Sequence, residues 1–330
     1  MKKLFGILCC ALLAVPAYLL GTVLPVIGAP VFGILLGMLS GLVIKDHTKL
    51  TPGMQFTSKK VLQAAVVLLG FGMNLGVVVK TGMTSLPVIV STISVSLLVS
   101  FFYYKVAKVP YKNAVLIGVG SSICGGSAIA ATAPVIGADE EEVAQAISVI
   151  FLFNVIAALV FPTLGILLGL SNEGFSIFAG TAVNDTSSVT AAASAWDSMH
   201  GTGSMVLDAA AVIKMTRTLA IIPITLVLGM LQGREKSAGV KKSFPTFILF
   251  FLLASLITTC SILAGIDPDV FQGFKILSKY LIVMAMIAIG FFTDIRKLIK
   301  SGAKPMIQGL LCWVSIAVTS LAMQHILSIW

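Results

Sequence analysis

Three polar clusters interrupt long apolar stretches of this chain: Ser121-Ser122-Ile123-Cys124-Gly125-Gly126-Ser127, Asn184-Asp185-Thr186-Ser187-Ser188, and the pair Lys214 and Arg217. In a bilayer an unpaired charge or a freed backbone group is expensive, so such clusters persist where they line a protein-enclosed cavity. Glycine lowers the cost of unwinding a helix, and serine can satisfy the groups that unwinding frees. A helix broken in the first cluster would turn amide donors toward a bound anion, whereas a small-residue packing interface is the competing use of the same composition.

Lys214 and Arg217 are three residues apart and share one helix face, where they can offset the charge of an anionic solute or pair with Asp185 or Asp208. The substrate-binding candidates are Ser121, Ser122, Gly125, Gly126, Ser127, Asn184, Thr186, Ser187, Lys214 and Arg217. Asp185 must be paired, protonated or hydrated at membrane depth, which suits coupling or gating, a helix cap, or a counter-ion. Asn154, Asn74 and Asp294 are further coupling or gating candidates, with bonds at helix crossings as their structural alternative. His47, His200 and His325 lie near span ends, so none offers a central proton relay.

The elements that must hold these groups are membrane spans. Of the 330 residues, 58% are hydrophobic and 11% charged, against about 25% charged in soluble domains, which points to an all-α polytopic membrane protein. Apolar runs predict about eleven spans, at 4–22, 27–44, 60–79, 84–104, 111–136, 142–168, 174–196, 205–230, 245–264, 276–294 and 305–328. The first run imitates a signal peptide, but no small-x-small cleavage site closes it, so it reads as an uncleaved helix. The net charge of +9 is spread over short connections, which fits the positive-inside bias and not a nucleic-acid surface. That bias predicts a cytoplasmic N-terminus and an outside C-terminus.

The five cysteines sit in apolar runs without metal-knuckle spacing, and no nucleophile elbow or phosphate loop is present, so neither an enzyme nor a bound cofactor is expected. The whole chain, 1–330, reads as one transport domain, with halves at about 1–170 and 171–330. Two internal echoes bear on this. Gly70-Phe71-Gly72-Met73-Asn74-Leu75 matches Gly290-Phe291-Phe292-Thr293-Asp294-Ile295 in spans of opposite direction, as an inverted repeat requires. Ser127-Ala128-Ile129-Ala130-Ala131 matches Ser187-Ser188-Val189-Thr190-Ala191 in parallel spans, so either one echo is accidental or a polar segment is re-entrant. The SSICGG and NDTSS segments are expected to be interrupted helices that meet near the membrane midplane.

The run Gly120-Ser121-Ser122-Ile123-Cys124-Gly125-Gly126-Ser127-Ala128-Ile129-Ala130-Ala131-Thr132-Ala133-Pro134 resembles the signature of the YeiH family of bacterial inner-membrane proteins, often labelled sulfate exporters. Gly180-Thr181-Ala182-Val183-Asn184-Asp185-Thr186-Ser187-Ser188-Val189 and Val212-Ile213-Lys214-Met215-Thr216-Arg217 resemble its other two marks, and the likeness covers about residues 27–325. The resemblance implies secondary transport of a small inorganic or organic anion, such as sulfate or sulfonate export. An anion channel and a sodium-coupled organic-anion transporter are the alternatives. The family carries His where this chain has Asn184; asparagine cannot titrate, so proton coupling through that histidine does not carry over. The expected partners are the anionic solute and membrane lipid, with no nucleic acid; a homo-oligomer, and coupling to protons or to sodium ions, stay open.

Overall fold

In the computed structural model the apolar stretches form helices throughout, with no strand among the described residues, which are 3–23, 29–44, 49–71, 74–231, 246–292 and 302–330. Seven helices among them are long and apolar enough to cross a membrane. They are Leu4–Val23 (α1), Leu75–Ala107 (α5), Glu141–Leu167 (within α8), Met205–Leu231, Thr246–Leu263 (α13), Gln272–Phe292 (α14) and Ala303–Ile326 (α15). The other four expected places are also helical but short or broken, which is why the count by length is seven and not eleven. Ala29–Val43 (α2) has 15 residues. Thr51–Phe56 (α3) runs through a π segment, Thr57–Val61, into Leu62–Gly70 (α4). The places at 111–136 and 174–196 are each split in two.

The chain folds as two units that interleave along the sequence. The first comprises Met1–Thr81, Thr190–Ala211 and Pro245–Asp294. Its tightest seam follows from glycine spacing: Gly33, Gly37 and Gly41 recur every four residues on α2, and a Cβ at Gly37 or Gly41 would strike the carbonyl of Ile287 or Phe291 on α14. Small residues let two backbones touch, so dispersion replaces the hydrophobic drive that lipid cannot supply. Cys10, Ala14, Met54, Val283 and Ile287 fill the core beside that seam.

The second unit comprises Gly82–Val189, Val212–Phe244 and Ile295–Trp330. Its α8, Glu140–Leu167, starts with a capping box: Glu142 N–H donates to the Asp139 carboxylate at 2.8 Å, and Asp139 N–H to the Glu142 carboxylate at 3.0 Å. Leu116, Ile117, Ile129, Val149, Ile150 and Phe153 make the core that fixes the first split span against α8. Gln308 on α15 is fully buried and donates to Ser100 Oγ (2.9 Å) and the Ala114 carbonyl (3.0 Å), tying three helices together.

Candidate functional site

Two helices of the second unit stop and restart at the polar clusters. Tyr111–Ser122 (α6) ends at Ile123, whose φ of −120° and ψ of −88° leave the helix, and Gly126–Ile136 (α7) begins after Gly125. Gly125 has φ 67° and ψ −127°, a backbone region that side chains disfavour, so glycine is what permits the break. Asn172–Ala182 (α9) ends at Val183 in extended conformation, and Thr186–His200 (α10) begins after Asp185. The breaks adjoin: a Cβ on Gly125 would lie 3.5 Å from the Asp185 Cβ and 3.6 Å from Asn154 Nδ2.

Each break exposes carbonyls at one helix end and amides at the next. Met205–Thr218 (α11) serves the carbonyl ends. Lys214 Nζ donates to the carbonyls of Ile123 (2.7 Å) and Val183 (2.9 Å), one from each break. Arg217 donates through Nε to Ser122 O (2.8 Å), through Nη2 to Ser121 O (2.9 Å), and through Nη1 to Thr181 O. Both side chains have no solvent exposure. Neither has a carboxylate within ion-pair distance among the described residues, so carbonyl oxygens and the negative ends of α6 and α9 supply their compensation. The helix turns at Leu219-Ala220 just beyond Arg217, because Pro223 cannot bond back to Leu219, and resumes as Ile221–Leu231 (α12).

The amide ends are organised differently. Asp185 accepts from Ser187 N–H at 3.0 Å and from Ser187 Oγ, which caps α10. Asn184 N–H donates to Asn154 Oδ1 at 3.0 Å. Asn154 is 1% exposed and Asn184 0%, yet Asn154 Nδ2 and both side-chain polar atoms of Asn184 have no hydrogen-bond partner. Buried polar groups are normally satisfied, so three orphans beside two helix N-termini are conspicuous. At the start of α7, a Cβ on Gly126 would meet no atom of another segment within 4 Å. Ser127 is exposed, and Asp185 and Thr186 are half-buried. The arrangement offers amide and carboxamide donors to an anion on one side of the breaks and tethered cations on carbonyls on the other.

The sequence candidates therefore divide. Gly125, Gly126, Ser127, Asn154, Asn184, Asp185, Thr186 and Ser187 gather at the restarts. Ser121 and Ser122 contribute carbonyls to Arg217, and Lys214 and Arg217 direct their donors to backbone oxygens and not to an open cavity. Asn74 belongs to the first unit, and its Oδ1 accepts from Gly76 N–H at 2.7 Å at the start of α5. Asp294 lies outside the described residues. Asp208 is in the first unit, with Ser204 Oγ donating to it at 3.2 Å, and Asp197 there accepts from Val206 and Leu207 N–H at the start of α11. Sequence reasoning missed the five carbonyls that receive Lys214 and Arg217, since a backbone atom leaves no residue signal. It also missed Ser320 of α15, whose hydroxyl meets Thr181 Oγ1 at 2.7 Å where α9 ends; its spacing of four from Gln324, which puts both on one helix face, was the available clue.

The comparisons with known proteins agree over nearly the full chain. A family model described as "Conserved hypothetical protein 698" matches residues 5–309. A UPF0324 membrane protein of Streptococcus pyogenes serotype M6 is 58% identical, over 100% of this chain and 99% of its own length. Another of Fusobacterium nucleatum is 56% identical over 100% and 99%, and one of Streptococcus mutans is 55% identical over 100% and 98%.

Proposed function

The chain belongs to the UPF0324 family of bacterial membrane proteins, the membership implied by its three ordered motifs, and from that premise we propose that it is a secondary transporter of a small anion. The observation that carries this reading is the meeting of two helix N-termini, at Gly125 and Asp185, beside buried and unpartnered Asn154 and Asn184. Helix N-termini favour negative charge, and the carboxamide Nδ2 atoms add donors for a tetrahedral oxyanion, so sulfate or an organic sulfonate is the leading substrate class. Family membership also goes with a non-enzymatic role.

Lys214 and Arg217 act in this reading as fixed counter-ions to the helix C-termini. Unwound carbonyls are where sodium-coupled transporters hold their ion. Here five such oxygens already receive Lys214 and Arg217, so those helix ends offer sodium no free cage. Asp185 sits at the amide end, where an incoming anion meets its charge; a proton on Asp185 removes the conflict, so anion and proton move together. Lys214, Arg217 and Cys124 are the charged or titratable groups around this centre. The inverted repeat, the halves near residue 170, the midplane position of the breaks and the cytoplasmic N-terminus belong to the same proposal.

Proteoliposomes test it. Saturable uptake of sulfate, sulfite or a sulfonate, driven by an imposed proton gradient and indifferent to sodium, is expected. Absence of saturable flux for all three in folded protein overturns the anion reading, and strict sodium dependence overturns the coupling.

A further inference from the structure

A second binding feature of the same unit is independent of the breaks. α5, α6 and α12 enclose an open groove of about 350 Å³ whose lining is almost wholly apolar, including Leu97, Phe101, Val115, Ile224 and Val227. It follows α5 from Leu97 to Tyr104, seven residues or roughly 10 Å of helix. At one end Tyr104 and Tyr111 meet edge to face, ring centroids 5.7 Å apart, as amphipathic rings do at a membrane interface. Beyond them the chain reverses at Lys108, in left-handed conformation with φ 49°, before Pro110 leads into α6.

That end carries Lys105, Lys108, Lys112 and Lys304, with Glu142 beside Lys112. Lys105 is exposed, with its ammonium 5.6 Å from the Phe101 ring centre and 5.7 Å from that of Tyr104, both residues of the groove. Lys108 is exposed one turn on. The neighbouring cations are committed: Lys112 faces Glu142 at 3.8 Å, and Lys304 donates to the Ala107 carbonyl at 3.1 Å. Lys105 and Lys108 have no carboxylate partner among the described residues. We propose that this groove is a site for an anionic phospholipid, one acyl chain lying between α6 and α12 and the phosphate held by Lys105 and Lys108. An acyl chain matches an elongated apolar slot, and the phosphate supplies the charge that the two lysines lack. A zwitterionic lipid fills the slot but gains little from the cations. Because α6 is both a wall of the groove and the first half of a broken helix, the bound lipid braces that segment.

The test is lipid retention by the full-length protein in native mass spectrometry, with phosphatidylglycerol and phosphatidylcholine of equal chain length. Wild type should bind phosphatidylglycerol more tightly. Lys105→Gln with Lys108→Gln should weaken it about ten- to thirtyfold, from roughly tenfold or less per surface cation, and leave phosphatidylcholine unchanged. Val227→Trp, at an exposed position that tolerates bulk, should displace both lipids. Lys49→Gln with Lys60→Gln, in the other unit, should change neither. Equal affinity for the two lipids in wild type, or phosphatidylglycerol affinity unchanged in the double lysine variant, overturns the anionic site. Retention unchanged in Val227→Trp overturns the groove as the seat of the acyl chain.

Discussion

Replacing Arg217 with methionine keeps an unbranched apolar stem and removes three hydrogen bonds that a buried charge gives to Ser121, Ser122 and Thr181. Bonds from charged donors contribute about 1.5–3 kcal/mol each, but they share one charge and do not add. Leaving a buried carbonyl without its donor costs about 1–3 kcal/mol, and three are stranded while the cost of burying the cation is relieved, so a loss of about 3–5 kcal/mol is expected here. At roughly 2–3 °C per kcal/mol for a chain of this size, the melting temperature in detergent should fall by roughly 6–15 °C. Arg217→Lys keeps the charge but has one nitrogen to serve two helix ends, so it should fall by about half as much. Lys112→Gln is the control: it breaks only the partly exposed pair with Glu142 and should cost under about 1 kcal/mol. Expression-matched thermal unfolding with parallel sulfate binding reads all three. A methionine variant that melts with wild type but loses anion binding would show that the guanidinium serves the solute and not the helix ends.

Gly125→Ala should lower stability by about 1–3 kcal/mol, because its φ of 67° with ψ −127° resists any side chain, while Gly126→Ala, with open space around it, should melt normally and lose anion affinity; thermal shift and binding on the pair separate the roles. Asp185→Asn retains an oxygen to accept from Ser187, so it should stay within about 1 kcal/mol of wild type yet abolish proton-driven uptake; normal gradient dependence in the folded variant removes Asp185 from coupling. Asn154→Leu strands the Asn184 amide and should cost about 1–3 kcal/mol together with anion affinity, measured by denaturation and titration. Gly37→Ala drives a methyl into the Ile287 carbonyl and should cost about 1–3 kcal/mol by opening the α2–α14 seam, which thermal unfolding detects.

Helix and its interruption were readable from residue type. Among the described residues each expected span holds helix, and the two breaks sit at the clusters rich in glycine and serine or in asparagine, aspartate and serine. The span count was less readable, because hydropathy runs on through Ile123-Cys124 and Ala182-Val183 and does not register where the hydrogen-bond ladder stops. Lys214 and Arg217 were legible as partners on one face. Their target was not: a charge deep in an apolar run signals a polar neighbour, but carbonyl oxygens meet that need as well as a solute does, and only the fold tells them apart. Asn154 stood out as a mid-span amide, whereas its engagement with the Asn184 backbone depends on two segments brought together by packing.

The link from α11 to the two breaks also imposes an order on biosynthesis. Lys214 is made 91 residues after Ile123 and 31 after Val183, so at about 5–20 residues per second the carbonyl end of α6 waits roughly 5–18 s for its cation and that of α9 roughly 2–6 s. A nascent chain halted before α11 would hold both half-helices in the bilayer with uncapped ends, where each unsatisfied group costs several kcal/mol. α11 therefore locks segments made before it, and marks the point in translation after which both carbonyl ends can first receive their cations.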